Sequence, residues 1–301
     1  MRQELRGHLA MLAFSALVAG SFSLGSLTAP LIAPTALNSL RFALAAGLVT
    51  ALSLVQMRRP HAVRPGADGP PSPFRAPWRY AALGLLYALY FVLMFEALKT
   101  AAPVSVSAVF TLTPLIAAGF GYILLRQRLT PRIALALALG AGGALWVIFR
   151  GDLAALLRFD LGRGEAIYFL GCVAHALYTP LVRKLNRGEP APVFTSGILI
   201  AATLLLGLYS LGDLAATDWA ALPIVVWITI IYTAVFATAA SAMILQYASQ
   251  RLPSAKVMAY TYLTPVWVIL WQSALGQSGP GWIILPGLAV TLVALGLLLR
   301  D

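Results

Sequence analysis

Charge is what this chain has least of. Asp, Glu, Lys and Arg make up 10% of its 301 residues and hydrophobic side chains 60%, a balance that a water-surrounded fold does not sustain. Acid is scarcer still: ten Asp and Glu stand against 21 Lys and Arg, for a net charge of +11. None of the ten lies near the middle of an apolar stretch, so a carboxylate proton relay of the pump kind is unsupported. The single cysteine, Cys172, falls inside an apolar stretch, which excludes a disulfide framework and a Cys-based metal site. A GxxxxGK loop followed by Ser or Thr is absent, so ATP does not drive the protein directly. HExxH, paired carboxylates and a Ser–His–acid set are missing from the apolar stretches too. No catalytic residue, metal or cofactor is expected.

What is there is apolar sequence in runs near twenty residues, the length that crosses a bilayer. The runs predict an all-α integral membrane protein with ten transmembrane helices: 9–27, 34–57, 78–98, 103–125, 131–149, 165–184, 192–211, 221–248, 254–274 and 281–299. Pro, Gly and charge set the breaks. Residues 58–77 hold six prolines among four arginines, cannot pack a core and read as a flexible connector. The first run continues past Ala19-Gly20-Ser21 to Leu27, which suits an uncleaved span better than a signal peptide.

Lys and Arg divide unequally between the two sides of this layout. Sixteen fall on the side of the termini, from Arg2 to Arg300. Four fall opposite (Lys99, Arg150, Arg158 and Arg163), and Arg41 lies within the second span. Short basic loops stay cytoplasmic, so both termini are expected inside. The basicity is a topology signal, and no nucleic acid partner is expected beside the lipid bilayer. Five spans per half turn the second half over, so residues 1–150 and 151–301 form two inverted five-helix repeats.

The repeat carries a signature. Leu112-Thr113-Pro114 and Leu263-Thr264-Pro265 stand 151 residues apart inside apolar stretches, while a third copy, Leu129-Thr130-Pro131, reads as a loop. A proline inside a helix frees the carbonyl four residues back, here Phe110 and Thr261. Lipid cannot satisfy such a group. Matched broken helices in two inverted halves point to a transporter's midplane site, with Pro114 and Pro265 as hinges.

Gly20-Ser21-Phe22, Leu40-Arg41-Phe42-Ala43 and Phe95-Glu96-Ala97-Leu98 lead to the first Leu-Thr-Pro, and Ala176-Leu177-Tyr178-Thr179 leads to the second. In this order the motifs resemble the EamA-type family of the drug/metabolite transporter superfamily, over nearly the whole chain. The resemblance implies a ten-helix bundle whose central cavity is formed mainly by spans 1, 3, 4, 6, 8 and 9. It is greatest to bacterial aromatic amino acid exporters, which implies a multi-pass protein of the bacterial cytoplasmic (inner) membrane. Departures from the family are Arg126-Gln127 and Gly276-Gln277 where Gly-Glu is usual, and His175 and Ala19 in place of Trp.

The candidate substrate-binding residues follow. Tyr80, Tyr87, Tyr90, Phe91 and Met94 share a broad face of the third span, and Tyr260, Thr264, Trp267 and Trp271 share one of the ninth. Tyr and Trp pair a flat apolar body with a polar handle, which suits a substrate ring. They also populate interfacial belts, and Trp78 and Tyr80, beside the basic connector, read as belt residues. His175, mid-span, either bonds substrate or is a neutral His bonded to a neighbouring helix. Arg41 either snorkels outward or bonds carbonyls between helices. Glu96 with Lys99 reads as an exposed pair, with a coupling carboxylate as the alternative. The substrate site is expected at Tyr87, Tyr90, Phe91, Thr111, His175, Thr179, Tyr260, Thr264 and Trp267. Its expected ligand is an amino acid with an aromatic or other neutral side chain; a lipophilic metabolite or drug is the alternative. Small-residue stripes, Ala136/Gly140/Ala144 and Gly287/Thr291, suggest close packing within the bundle or a homodimer seam. Monomer and dimer both stay open.

Overall fold

The computed structural model describes residues 2–57, 76–158, 160–277 and 281–299. Most of the 58–77 connector lies outside them. Every regular element among the described residues is helical. The first half contains α1 (Arg2–Thr28), α2 (Pro34–Met57), α3 (Trp78–Ala97), α4 (Pro103–Phe110), α5 (Thr113–Leu125) and α6 (Pro131–Ile148). After the short α7 (Leu153–Arg158) come α8 (Arg163–Leu185), α9 (Ala191–Tyr209) and the short α10 (Leu211–Ala216). The chain ends with α11 (Ile224–Ala234), α12 (Ser241–Ser249), α13 (Ser254–Ala259), α14 (Thr264–Ala274) and α15 (Leu285–Leu299). Among the described residues, nine helical segments are long and apolar enough to cross a membrane, with α4–α5 and α11–α12 each counted as one. The expected ninth span, 254–274, is present in three pieces: α13, a 3-10 turn (Tyr260–Leu263) and α14.

The packing follows the two-fold relation between the halves. The pair α6 and α15 joins equivalent spans, as does α2 with α9. The contact of α3 with α8 has its inverted counterpart in α1 with α11 and α12. The contact of α5 with α8 has its counterpart in α1 with α14. These relations make the fold a ten-span bundle of two inverted repeats.

Each Leu-Thr-Pro marks a helix start. Thr130 caps α6, its side chain accepting from the Ile133 N–H, and Pro131 follows in the first turn. Pro114 and Pro265 sit in the first turns of α5 and α14. There a missing N–H costs nothing, because those donors have no partner inside the helix. The expected free carbonyls are therefore not free. Phe110 O accepts from the Thr113 hydroxyl, and Thr261 O accepts from the Thr264 backbone N–H in the 3-10 turn.

A second irregularity has no mark in the sequence. Between α11 and α12, Val235–Ala240 forms a π-helical segment, so the eighth span carries a widened turn.

The small-residue stripes are consumed inside the chain. Ala136 and Ala144 are wholly buried, and Gly140 receives the ring of Tyr262. Gly143 on α6 and Gly287 on α15 touch backbone to backbone: a Cβ on Gly143 would lie 2.6 Å from Gly287 O, and one on Gly287 would lie 2.7 Å from Gly143 O. Without a driving force from water, such close approach is what holds helices together in lipid.

Candidate functional site

The third span supplies the centre. Helical spacing puts Tyr87, Tyr90, Phe91 and Met94 on one face of α3, and all four are buried. Phe91 meets Tyr90 at 4.5 Å and Tyr87 at 4.9 Å between ring centroids, both edge-on. From α8, His175 stacks on Tyr90 at 4.3 Å, and Tyr178 stacks on Tyr87 at 5.1 Å. Phe110, at the end of α4, closes on Tyr90 and His175. The Tyr168 hydroxyl donates to that of Tyr90 at 3.1 Å. The result is an aromatic column between the two halves, built chiefly by α3 and α8.

Polarity is concentrated at two places in the column. Neither ring nitrogen of His175 has a hydrogen-bond partner, although the residue is 2% exposed. A buried polar group left unpaired costs about 1–3 kcal/mol, so its persistence calls for a reason. At the other end, the Arg41 guanidinium lies 3.6 Å over the Phe91 ring. It does not snorkel: it is wholly buried and bonds the Ala237 carbonyl and the Thr238 hydroxyl of the π segment. Sequence reasoning omitted Arg41, Phe110, Tyr168 and Tyr178 from the site. The last two could have been found, since Tyr168, His175 and Tyr178 share a face of one helix.

The remaining expected residues are distributed differently. Thr111 and Thr179 spend their hydroxyls on their own helices, and Thr179 also approaches Met258 Sδ at 3.2 Å. Tyr260 bonds His8 Nδ1 at 3.0 Å, and Trp267 donates to the Ser15 hydroxyl at 3.2 Å. Both thus face α1. Thr264 is buried with its hydroxyl unpaired, as is Thr261. Glu96 and Lys99 pair at 2.7 Å at a half-exposed rim.

Tyr80 is not a belt residue. Of these two aromatics Trp78 is exposed, whereas Tyr80 is buried against Phe194. Its hydroxyl donates to Glu189, which also takes the Arg79 guanidinium at 2.8 Å and the Arg187 backbone N–H at 2.6 Å. Burial pushes the Glu189 carboxyl upward, but the hydrogen bonds and charge of Arg79 together with the backbone N–H donors outweigh it and hold the carboxyl below its usual value. Arg79 also donates to Leu185 O, a free carbonyl at the end of α8. A single cluster thus ties the start of α3 to the α8–α9 turn.

Comparison with known proteins agrees with this architecture. The chain is 25% identical over 277 residues to an uncharacterized transporter, YyaM, of Bacillus subtilis (strain 168), covering 91% of this chain and 87% of that one. A crystal structure of a protein 19% identical in sequence superposes with a TM-score of 0.69, covering 98% of this chain and 96% of the other, a likeness of fold. The profile of the EamA-like transporter family matches twice, over residues 5–149 and 162–300. With its multiple helical spans and two inverted repeats, the chain belongs to the EamA-like transporter family.

Proposed function

We propose that this transporter exports amino acids with aromatic or other neutral side chains across a bacterial inner membrane, with both termini in the cytoplasm. The observation that carries this reading is the stack of His175 on Tyr90, with both imidazole nitrogens unpaired inside an aromatic column. Flat π faces accept a substrate ring, and unpaired imidazole nitrogens meet its polar end.

The column is closed in this state, since Tyr87, Tyr90, Phe91 and His175 are each at most 2% exposed. Substrate therefore enters only when α3 and α8 part, which is alternating access between two repeats. The helix restarts at Pro114 and Pro265 are the hinges of that motion. In this reading export is uncoupled or weakly coupled and runs down the cytoplasmic amino acid gradient. Counterflow of labelled Phe, Trp, Met and Thr in proteoliposomes tests the proposal; movement no faster than in empty vesicles would overturn it.

A lipophilic metabolite is the second reading. It is favoured by an open apolar groove of about 650 Å³ on the outer face of the bundle between α2, α3 and α9, lined by Leu54, Tyr80, Ile200 and Leu204. Competition of amino acid counterflow by a lipophilic amine separates the two.

A further inference from the structure

A positive charge buried in a membrane bundle is costly, about 2.5–3.5 kcal/mol or more even by insertion scales. Such a charge is ordinarily met by an acid. Arg41 is not: among the described residues, no carboxylate pairs with it. Its acceptors are neutral, namely Thr238 Oγ1, Ala237 O at 3.2 Å and Asn38 Oδ1 at a long 3.4 Å. The guanidinium has N–H donors to spare beyond these three bonds. Tying α2 to the eighth span needs only a neutral donor, so the full charge is unexplained by packing.

Two further observations give that charge a direction. The guanidinium lies over the Phe91 ring, which touches Tyr87 and Tyr90, so the cation abuts the same column that ends at His175. The eighth span also changes to π-helix where Arg41 meets it. There Ala237 O takes both the Ser241 hydroxyl at 2.7 Å and Arg41. Single π turns of this kind recur at functional sites, because they re-aim backbone carbonyls out of the helical ladder.

We infer that Arg41 is the carboxylate anchor of the substrate site. The carboxylate of an amino acid displaces the weak Asn38 contact and takes the spare guanidinium N–H groups in a charge-assisted pair. The substrate ring then lies along Phe91, Tyr87 and Tyr90 and points toward His175, with the ammonium left beside the carboxylate on the same carbon. The inference deepens the amino acid reading and rests on it. Arg41 selects for the carboxylate whatever the side chain, while the aromatic column selects the side chain.

The test is binding to the purified full-length protein of three ligands sharing one ring: L-phenylalanine, its amide, and phenylacetate, which keeps the carboxylate and lacks the ammonium. Wild type is expected to bind phenylalanine about tenfold or more tighter than the amide, the ratio one charge-assisted bond supplies. Arg41→Gln should bring that ratio near one while leaving affinity for the amide within about twofold, and Arg41→Lys should restore part of it. Equal affinity of wild type for acid and amide overturns the anchor whether or not any variant folds. A wild type that binds phenylacetate, but not phenylalanine, and loses it in Arg41→Gln keeps the anchor and sinks the amino acid reading. A wild type that binds phenylalanine but keeps its ratio in Arg41→Gln does the reverse.

Discussion

Arg79 of the first repeat and Glu189 of the second form an ion pair at 2.8 Å in which both side chains are at most 2% exposed. The pair joins α3 to the turn before α9, beside the seam between the halves. Removing one partner of a buried pair strands the other charge, at a cost on the order of 3–5 kcal/mol. Glu189→Ala is expected to lower the melting temperature in detergent sharply. Glu189 also sets a sign for pH. Its folded carboxyl titrates below its unfolded value, so the stability it supplies is present above the ordinary carboxylate range of about 4 and is lost as pH falls through the lower folded value. Wild type should lose stability on acidification in that window more steeply than Glu189→Gln.

His175 separates packing from recognition. Phe at this position keeps a ring against Tyr90 but removes both nitrogens. His175→Phe should stay folded and lose transport by about tenfold or more, the value of a hydrogen bond near 1.4 kcal/mol. Unchanged transport with an unchanged pH profile would return His175 to a packing role.

The two Thr-Pro restarts differ in a way that mutation can read. Thr113 donates to Phe110 O, whereas the Thr264 hydroxyl is unpaired. Thr113→Val should cost about 1–2 kcal/mol by orphaning a buried carbonyl. Thr264→Val should leave melting unchanged or raised. A fall in transport without a fall in stability for Thr264→Val would assign that hydroxyl to substrate.

The Gly143–Gly287 contact predicts a steric result. Gly143→Val places a Cβ at 2.6 Å from a backbone oxygen that cannot yield without moving α15. The expected loss is about 1–3 kcal/mol, the range for overpacking, read as a lower melting temperature. An unshifted melt would mean that α6 and α15 do not meet at this register.

Cys172 is wholly buried, so wild type offers an impermeant maleimide no accessible thiol of its own. Cysteines introduced at Gly188 and Ala220 should label from opposite sides, with Gly188 reached only from the cytoplasm. Labelling of both from one side would overturn the topology.

The spans were legible because Pro, Gly and charge punctuate them. Pro34, Pro103 and Pro131 begin helices as their positions imply. The face Tyr87–Tyr90–Phe91 was equally legible, since helical periodicity is local. What stayed hidden depends on partners far along the chain. Tyr80 beside a basic loop looks interfacial until Glu189, 109 residues away, is seen to hold it. Tyr260 and Trp267 share a face, but nothing local says that α1 will cover it. The π segment leaves no compositional trace, because it comes from a shift of the hydrogen-bond ladder. The short α7 and α10 occupy stretches that charge alone labels as loops.

The broken ninth span has a consequence for how the protein is made. Its pieces, α13 of six residues and α14 of eleven, are each far shorter than the roughly twenty residues that cross a bilayer as one rod. The 3-10 turn between them exposes polar backbone that lipid cannot meet, and α1, α4 and α15 are what surround it. Two of the three helices that shelter this turn (α1 and α4) precede it in the chain, and α15 follows it. The span is therefore complete only with α15 against its turn, and a truncation that removes α15 should leave it unassembled.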